Sequence, residues 1–354
     1  MLLIKELDKS KVGESISLAG WLRTKRDSKG GFSFLEINDG SSFKGIQVIA
    51  DQNLNNYDDV KSLHTGASLK LTGKLVESPG KGQSFELQAE SILIYGNTDQ
   101  SYLLQKGRIN FETLRESAHL RCRTNSIGAV MRVRNQLSKA THDFFQNRHF
   151  LNLHTPIITA SDCEGAGQMF QVTTLDMDKP PKNDLNKVDY KKDFFGKKTH
   201  LTVSGQLNGE TYACGMGRIY TFGPTFRAEN SNTSRHLSEF WMVEPEAAFF
   251  ELEENADLAR DYLKYCFKSV LETSADDLEF FDQRIEKGII TKLETLSDAE
   301  FTRITYTEAV KLLEKTDKKF EFPVKWGIDL QSEHERYLTE EIFKQPVIVT
   351  DYPK

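Results

Sequence analysis

Residues 220–246 read YTFGPTFRAENSNTSRHLSEFWMVEPE, and this stretch restricts the fold more than any other. YTFGPTF alternates apolar with small residues and EFWMVEPE returns in the same manner, so the spacing predicts strand, polar loop, strand. The loop is dense in anion-binding groups: Arg227, Arg235 and His236, with Ser231, Thr233 and Ser234 beside them. Two guanidinium groups on such a platform suit phosphate, because each planar fork donates two parallel hydrogen bonds to an oxyanion. Glu229 lies two residues after Arg227, and on a strand that spacing would send a cation and an acceptor into one cleft. By spacing alone, a surface hairpin with scattered ion pairs fits equally well.

The chain has 354 residues, enough for two domains with sizeable cores. With 38% hydrophobic and 28% charged residues it has an ordinary soluble globular composition. No apolar run approaches a membrane span, and MLLIKEL is too short for a signal peptide, so no membrane association is expected. Cys122, Cys163, Cys214 and Cys266 are far apart and form no CxxC pair. That argues against a zinc site or a disulfide framework and fits a reducing cytoplasm. The net charge is -6, so a nucleic-acid partner would be met by local basic patches.

Residues 1–97 carry five short runs of strand formers, separated by turn signals at Lys29-Gly30-Gly31, Asp39-Gly40 and Pro79-Gly80. Five strands in under 100 residues predict a small Greek-key barrel of the OB type. Arg23, Lys25, Arg26 and Lys29 cluster on its first hairpin, with Phe32 and Phe34 close behind. Basic charge beside aromatics suits unpaired nucleotides, although shared parity favours the core for at least one of the two rings. Residues 98–125 have no clear period and read as a basic hinge or a solvated linker. Residues 126–149 predict one long helix capped at Ser126, followed by an extended FLNLHTPIIT. Residues 161–171, SDCEGAGQMFQ, predict a mobile glycine loop, and the lysine-rich 176–200 a mobile insertion. LTVSGQLNGE at 201–210 predicts a strand and then a turn carrying Gln206, or a helix capped by Ser204. Helices follow within 247–300. A strand, a helix and a charged run occupy 301–343, and PVIVTDYPK reads as a strand. His334 between two glutamates lacks HExxH spacing, so a solvated helix face is the better reading than a metal ligand.

FRAENSNTSRHLSEF resembles motif 2 of the class II aminoacyl-tRNA synthetases, in their aspartyl/asparaginyl branch. The resemblance implies that Arg227 is the catalytic cation on the amino-acid carboxylate and the α-phosphate of ATP. It implies that Glu229, Arg235, His236 and Leu237 complete the ATP site. GWLRTKRDSKGGFSFLEINDGS and GIQVI resemble the anticodon-binding barrel of that branch, which implies that Phe34 stacks on an anticodon base while Gln47 and Glu86 bind base edges. The 126–160 region resembles motif 1 and implies a homodimer through it. The 161–171 loop implies that Glu164 holds the substrate's α-amino group.

The Ser204-Gly205-Gln206-Leu207 run resembles the asparaginyl members, whereas aspartyl members typically have Pro at 205 and Lys at 209. Ser204, Gln206 and Asn208 are then the amino-acid-binding set, suited to a neutral amide because a buried carboxylate needs a cation. The whole implies an α+β fold. An OB-type anticodon-binding barrel (1–97) and a hinge (98–125) precede an incomplete class II antiparallel-sheet catalytic domain (126–354). The implied reaction is ATP-dependent ligation of asparagine to tRNA(Asn) through an adenylate. Magnesium ligands are expected beyond the last residue, since the family's third motif has no counterpart here. That reading treats the chain as truncated and leaves two alternatives: a non-catalytic tRNA-binding protein and an aspartyl enzyme.

Overall fold

The computed structural model describes residues 1–80, 82–105, 107, 109–163, 169–230 and 236–353. It divides into two compact units, 1–136 with 271–290, and 137–270 with 291–354.

The first unit holds the barrel. Strands β1 (Ser15–Ser28), β2 (Phe32–Asn38) and β3 (Ile46–Asp51), helix α1 (Tyr57–Lys61), and strands β4 (Ser68–Glu77) and β5 (Phe85–Gly96) follow in order. They close as β1-β2-β3-β5-β4, with β3 and β5 parallel and the other pairs antiparallel. Each predicted strand is present, and each turn signal falls between strands. Gly31 and Gly40 sit in those turns at φ 82° and 84°, where a side chain would be strained. Leu18, Leu35, Ile37, Val48, Leu71 and Leu87 fill the interior.

The inward residues of β2 are Ser33, Leu35 and Ile37, so Phe32 and Phe34 lie on the outer face. The expectation that one of these rings is core is therefore wrong. Ser33 can face inward because its hydroxyl donates to Asp27 at 2.7 Å and meets the Tyr57 hydroxyl at 3.2 Å.

Residues 98–125 are not a bare linker. They contain α2 (Phe111–Glu116), capped by the Asn110 side chain, and are pinned to the barrel through Arg123. Its guanidinium stacks 4.9 Å over Trp21 and bonds the Tyr102 hydroxyl at 3.1 Å, while its carbonyl accepts from Arg23.

Helix α3 (Asn125–Gln146) matches the predicted long helix, but its cap is Thr124, whose hydroxyl accepts from Ile127 N–H at 3.3 Å. Ser126 is already inside the first turn. The extended segment after it divides into β6 (Leu151–Asn152) and β7 (Ile158–Thr159). The latter joins β8 (Gln171–Val172) and β9 (Thr199–Leu201) in an antiparallel sheet of order β7-β9-β8. The 176–200 insertion, expected to be mobile, is anchored at Asp193. That carboxylate accepts from Thr173 Oγ1 at 2.6 Å, Thr174 N–H at 2.9 Å, Thr174 Oγ1 at 3.0 Å and Phe194 N–H at 2.8 Å. These bonds, the Thr173 hydroxyl foremost, hold Asp193 well below its usual 3.8, at about 2.

Helix α4 (Gln206–Met216) ends at Gly217, at φ 84°, and turns into the predicted hairpin of β10 (Arg218–Phe226) and β11 (Glu239–Ala247). The two strands are antiparallel in unbroken register from Arg218↔Ala247 to Phe226↔Glu239. Strand β6 adds in parallel to β10. One hairpin face, with Tyr220, Phe222 and Val243, packs on Phe144 and Phe145 of α3 and on Leu258 of α5 (Leu252–Thr273). Phe145 stacks on Tyr220 with centroids 4.8 Å apart, and the Tyr220 hydroxyl meets His142 Nδ1 at 2.7 Å. Helix α4 covers the opposite face, and Gly209 lies against Ile219 and Glu246.

Helix α6 (Ala275–Arg284) belongs with the first unit, where Arg132 of α3 grips Asp277 through Nε and Nη2 at 3.0 and 2.7 Å. Helix α7 (Ile289–Asp298), strand β12 (Thr302–Thr305) and helix α8 (Tyr306–Glu314) follow. Thr305 and Glu308 cap α8 reciprocally. Helix α9 (Ser332–Arg336) runs into a π-helical turn at Tyr337–Ile342, before β13 (Val347–Thr350). Among the described residues that last strand pairs only with β12, in parallel. His334 is 1% exposed rather than solvated. Its Nδ1 accepts from Gln331 N–H at 3.0 Å and its Nε2 faces the Phe322 carbonyl at 3.2 Å, so both ring nitrogens serve the fold.

Candidate functional site

Strand alternation sets the site. On β10 the residues Ile219, Thr221, Gly223 and Thr225 share one face, and their cross-strand partners on β11 are Glu246, Glu244, Met242 and Phe240. This is the face opposite to Tyr220 and Phe222. Arg227 lies one residue past the end of β10, but its N–H still bonds the Ser238 carbonyl at 3.1 Å, so it keeps the same parity. Its guanidinium lies 5.5 Å over the Phe240 ring. Its Nε is buried and has no hydrogen-bond partner. A buried cationic donor left unpaired is costly, and a bound oxyanion would satisfy it.

Glu229 does not share a strand face with Arg227, as its spacing suggested, because the strand stops at Phe226; Glu229 is exposed. His236 and Leu237 are exposed in the loop just before β11. Arg235 and Glu164 lie outside the described residues.

The segment carrying Ser204 and Gln206 is led to the hairpin by two backbone bonds. Thr202 N–H donates to the Ile157 carbonyl at 2.8 Å, and the Thr202 carbonyl accepts from Phe226 N–H at 2.9 Å. Ser204, one residue before the N-cap of α4, accepts from Gln206 N–H at 3.0 Å, while its hydroxyl donates to Glu244. The turn reading holds, whereas the expected cap at Ser204 does not, because the N-cap position is Gly205. Gln206 opens α4, its Nε2 donating to Glu210 at 2.9 Å and its Oε1 facing the Cys163 thiol at 3.6 Å. Asn208 is half-buried in the same first turn.

Glu244 is the residue that the sequence reading missed. Its carboxylate accepts from Ser204 Oγ, Gly205 N–H and Thr221 Oγ1, and so lies beside the start of α4, which Gln206 opens. The signal was present: two glutamates at 244 and 246 alternate with Val243 and Pro245 on a strand whose other face is core. Thr221 and Arg227 are six residues apart, about 20 Å along a strand. An acceptor wall and a cation therefore stand at the two ends of one platform. Gly209 is buried, and a Cβ there would lie 3.3 Å from Ile219 and 3.4 Å from Glu246.

On the outer barrel face, Gln47 pairs with Glu36 on one side and with Glu86 on the other. Glu86 is buried, and its Oε2 accepts from Gln47 Nε2 at 3.1 Å, Ser78 Oγ at 3.1 Å and Gln83 Nε2 at 3.3 Å. Phe34 is half-buried beside them, edge-on to Phe32 at 5.2 Å, with the Arg26 guanidinium 5.0 Å from its ring. Of these, Arg26, Phe34, Glu36, Gln47 and Gln83 line a cleft of about 2310 Å³ that also includes Arg23, Arg123 and Arg132. A small-molecule pocket is typically ~300–1,000 Å³, so the cleft is sized for a polymer. Among the described residues no group of three His, Cys, Asp or Glu could hold a metal ion.

A family model described as tRNA synthetases class II (D, K and N) matches residues 110–354. The chain belongs to the class II tRNA synthetases. A second model, OB-fold nucleic acid binding domain, matches residues 16–95 of this synthetase chain. The asparagine--tRNA ligase of Protochlamydia amoebophila is 59% identical over 345 residues, covering 97% of this chain and 74% of the relative. That of Pseudoalteromonas translucida is 58% identical over 357 residues, covering 100% and 77%. Among solved structures, the Pyrococcus horikoshii asparaginyl-tRNA synthetase complexed with asparaginyl-adenylate is 26% identical with a TM-score of 0.80, covering 99% of this synthetase and 74% of that chain.

Proposed function

We propose that this synthetase ligates asparagine to its cognate tRNA in two steps. A carboxylate oxygen of asparagine attacks the α-phosphorus of ATP and pyrophosphate leaves, giving the adenylate. A hydroxyl of the terminal tRNA ribose then attacks the adenylate carbonyl carbon and AMP leaves. The observation that carries this reading is Arg227: a guanidinium on the α4-side face of the hairpin, with its buried Nε unpaired, at the end of a platform whose far end carries Glu244. Charge crowds onto the phosphorus in the first step, and a fixed cation there stabilises it. Gln206 and Glu244 provide a lining of amide and acceptor that suits a carboxamide, and Gly209 brings no cation for a carboxylate. Glu164, Ser204 and Asn208 complete the amino-acid set in this reading, and Glu229, Arg235, His236 and Leu237 the nucleotide set.

The barrel (1–97) takes the tRNA anticodon, with Phe34 stacking and Gln47 and Glu86 reading base edges. Residues 98–125 join it to the catalytic domain (126–354). Val130, Met131, Leu151, Ile157 and Ile158 are exposed apolar side chains within 126–160, which supports a homodimer through that region. That none of the four cysteines is in a disulfide supports a cytoplasmic setting, and no helix of the described residues is long and apolar enough to cross a membrane. The test is pyrophosphate–ATP exchange in the presence of asparagine or of aspartate. Exchange with asparagine alone is expected. Exchange driven equally by aspartate, or tRNA binding with no exchange at all, would overturn the reading.

A further inference from the structure

Residues 191–198 read KKDFFGKK, a pair of lysines on either side of two phenylalanines. The segment closes as a tight turn: Gly196 N–H donates to the Asp193 carbonyl at 2.9 Å, and Gly196 takes φ 65°. Asp first and Gly last suit such a turn, but its middle positions usually go to Gly, Pro, Asn, Asp or Ser. Here they hold Phe194 and Phe195, which are 76% and 47% exposed. The two rings meet edge to face with centroids 4.9 Å apart, and Phe194 stays open to solvent.

The exposed rings are presented by a fixed backbone. The buried Asp193 carboxylate accepts from Thr173 Oγ1, Thr174 Oγ1 and the N–H groups of Thr174 and Phe194, which ties the turn to the other end of the insertion. Its charge is spent inward. Lys191, Lys192, Lys197 and Lys198 are all exposed, and among the described residues none of their ammonium groups is in an ion pair. Four cations and an open aromatic pair thus lie together at one tip of a chain whose net charge is -6. A polyanion with flat faces matches both, because charge follows the backbone and a ring stacks on a base of any identity. A duplex hides those faces, so the match is to unpaired nucleotides.

We propose that the 191–198 turn is a stacking platform for the unpaired 3′ end of the substrate tRNA, with Phe194 under a base and the lysine pairs on the phosphates to either side. This rests on the tRNA reading above and adds a contact made by neither the barrel nor the β10–β11 hairpin. Chain order favours that end of the tRNA. The turn runs into β9, and Thr202, the next residue, accepts from the N–H of Phe226, one residue before Arg227. The six residues from Gly196 to Thr202 span at most roughly 20 Å when extended. A strand whose last ribose reaches Arg227 is therefore within reach of the turn. A second copy of this chain is a poor occupant, since a symmetric contact would set the lysine pairs of one copy against those of the other.

The test uses the full chain and the variants Phe194→Ala, Phe194→Trp and the double substitution Lys197→Ala with Lys198→Ala. The probes are the cognate tRNA, intact or trimmed of its unpaired 3′ nucleotides, titrated at several salt concentrations. Each protein is also sedimented. Phe194→Ala is expected to weaken binding of the intact tRNA on the order of tenfold, the loss of one stack, and to bind the trimmed tRNA as the parent does. Phe194→Trp, which keeps a flat ring, should hold the intact tRNA at least as tightly as the parent. The double lysine variant should flatten the salt slope for intact tRNA by about 1.4, at ~0.7 per phosphate neutralised. Unchanged affinity of Phe194→Ala for intact tRNA, equal loss on both tRNAs, a tryptophan variant as weak as the alanine one, or an unaltered salt slope would overturn the proposal. So would a Phe194→Ala protein that sediments as a smaller species yet binds both tRNAs normally, which would assign the turn to a contact between copies. A parent that binds neither tRNA would instead sink the tRNA reading. Single-stranded oligoadenylate would then decide the platform: weaker binding by Phe194→Ala than by the parent supports it, and equal binding or none overturns it.

Discussion

Replacing Arg227 with alanine should separate catalysis from folding. In the ligand-free chain the Arg227 Nε is buried without a partner, a penalty of about 1–3 kcal/mol for such a group. Against that stands the contact of the guanidinium with Phe240 at 5.5 Å, worth ~0.5–1 kcal/mol for a partly exposed pair. Truncation removes both, so the melting temperature should hold or rise slightly. The transition state loses a preorganised charged donor, at least ~3 kcal/mol. At ~1.36 kcal/mol per decade this lowers kcat/KM in asparagine-dependent pyrophosphate–ATP exchange by about 10²-fold. Arg227→Lys should fall in between, since it keeps the charge and loses the fork. Exchange within about threefold of the parent would refute the role, as that is far below the loss of one such donor. A melting temperature that falls in step with activity would show that the side chain is structural.

Phe34→Ala should weaken tRNA binding by ~1–3 kcal/mol for one lost stack and leave exchange without tRNA intact; equal loss in both assays would argue that the ring supports the barrel. Asp277→Asn leaves Arg132 facing a neutral amide. With the Arg132 side chain 22% exposed, about 2–3 kcal/mol of stability should be lost by urea titration, and a value near zero would mean that water already screens the pair. Asp193 titrates below its ordinary 3.8, at about 2, so its anchoring of the 176–200 insertion is complete above about pH 4 and fades as pH falls toward 2. Limited proteolysis by pepsin should therefore reach 176–200 progressively over that window, whereas Asp193→Asn should be cut there even at its upper end.

The hairpin, the long helix and the barrel strands were legible because each carries one unbroken period over nine or more residues or sits between strong turn signals. What was lost lies where a period ends or a small polar residue takes the inner side. Ser33 inside the barrel made the even positions of β2 look like the core, so Phe32 and Phe34 were half assigned inward. The 227/229 pairing assumed a strand that stops at Phe226. Glu244 was read as part of an apolar return strand, because a glutamate needs tertiary donors to become a fixed acceptor, and Ser204, Gly205 and Thr221 come from elsewhere in the chain. His334 between two charged neighbours looked solvated, yet the Phe322 carbonyl and Gln331 N–H, distant or irregular in sequence, took it inside.

The two faces of the β10–β11 hairpin have unlike duties, and adjacent residues belong to opposite ones. Sliding either strand by a single residue would press Glu244 or Arg227 into the aromatic packing of α3 and turn Tyr220 and Phe222 toward the ligand. The aromatic side thus acts as the proofreader of the reactive side: no misaligned hairpin can be both well packed and partly competent. A chain that passes through a shifted pairing while folding is left with no half-working pocket to squander ATP.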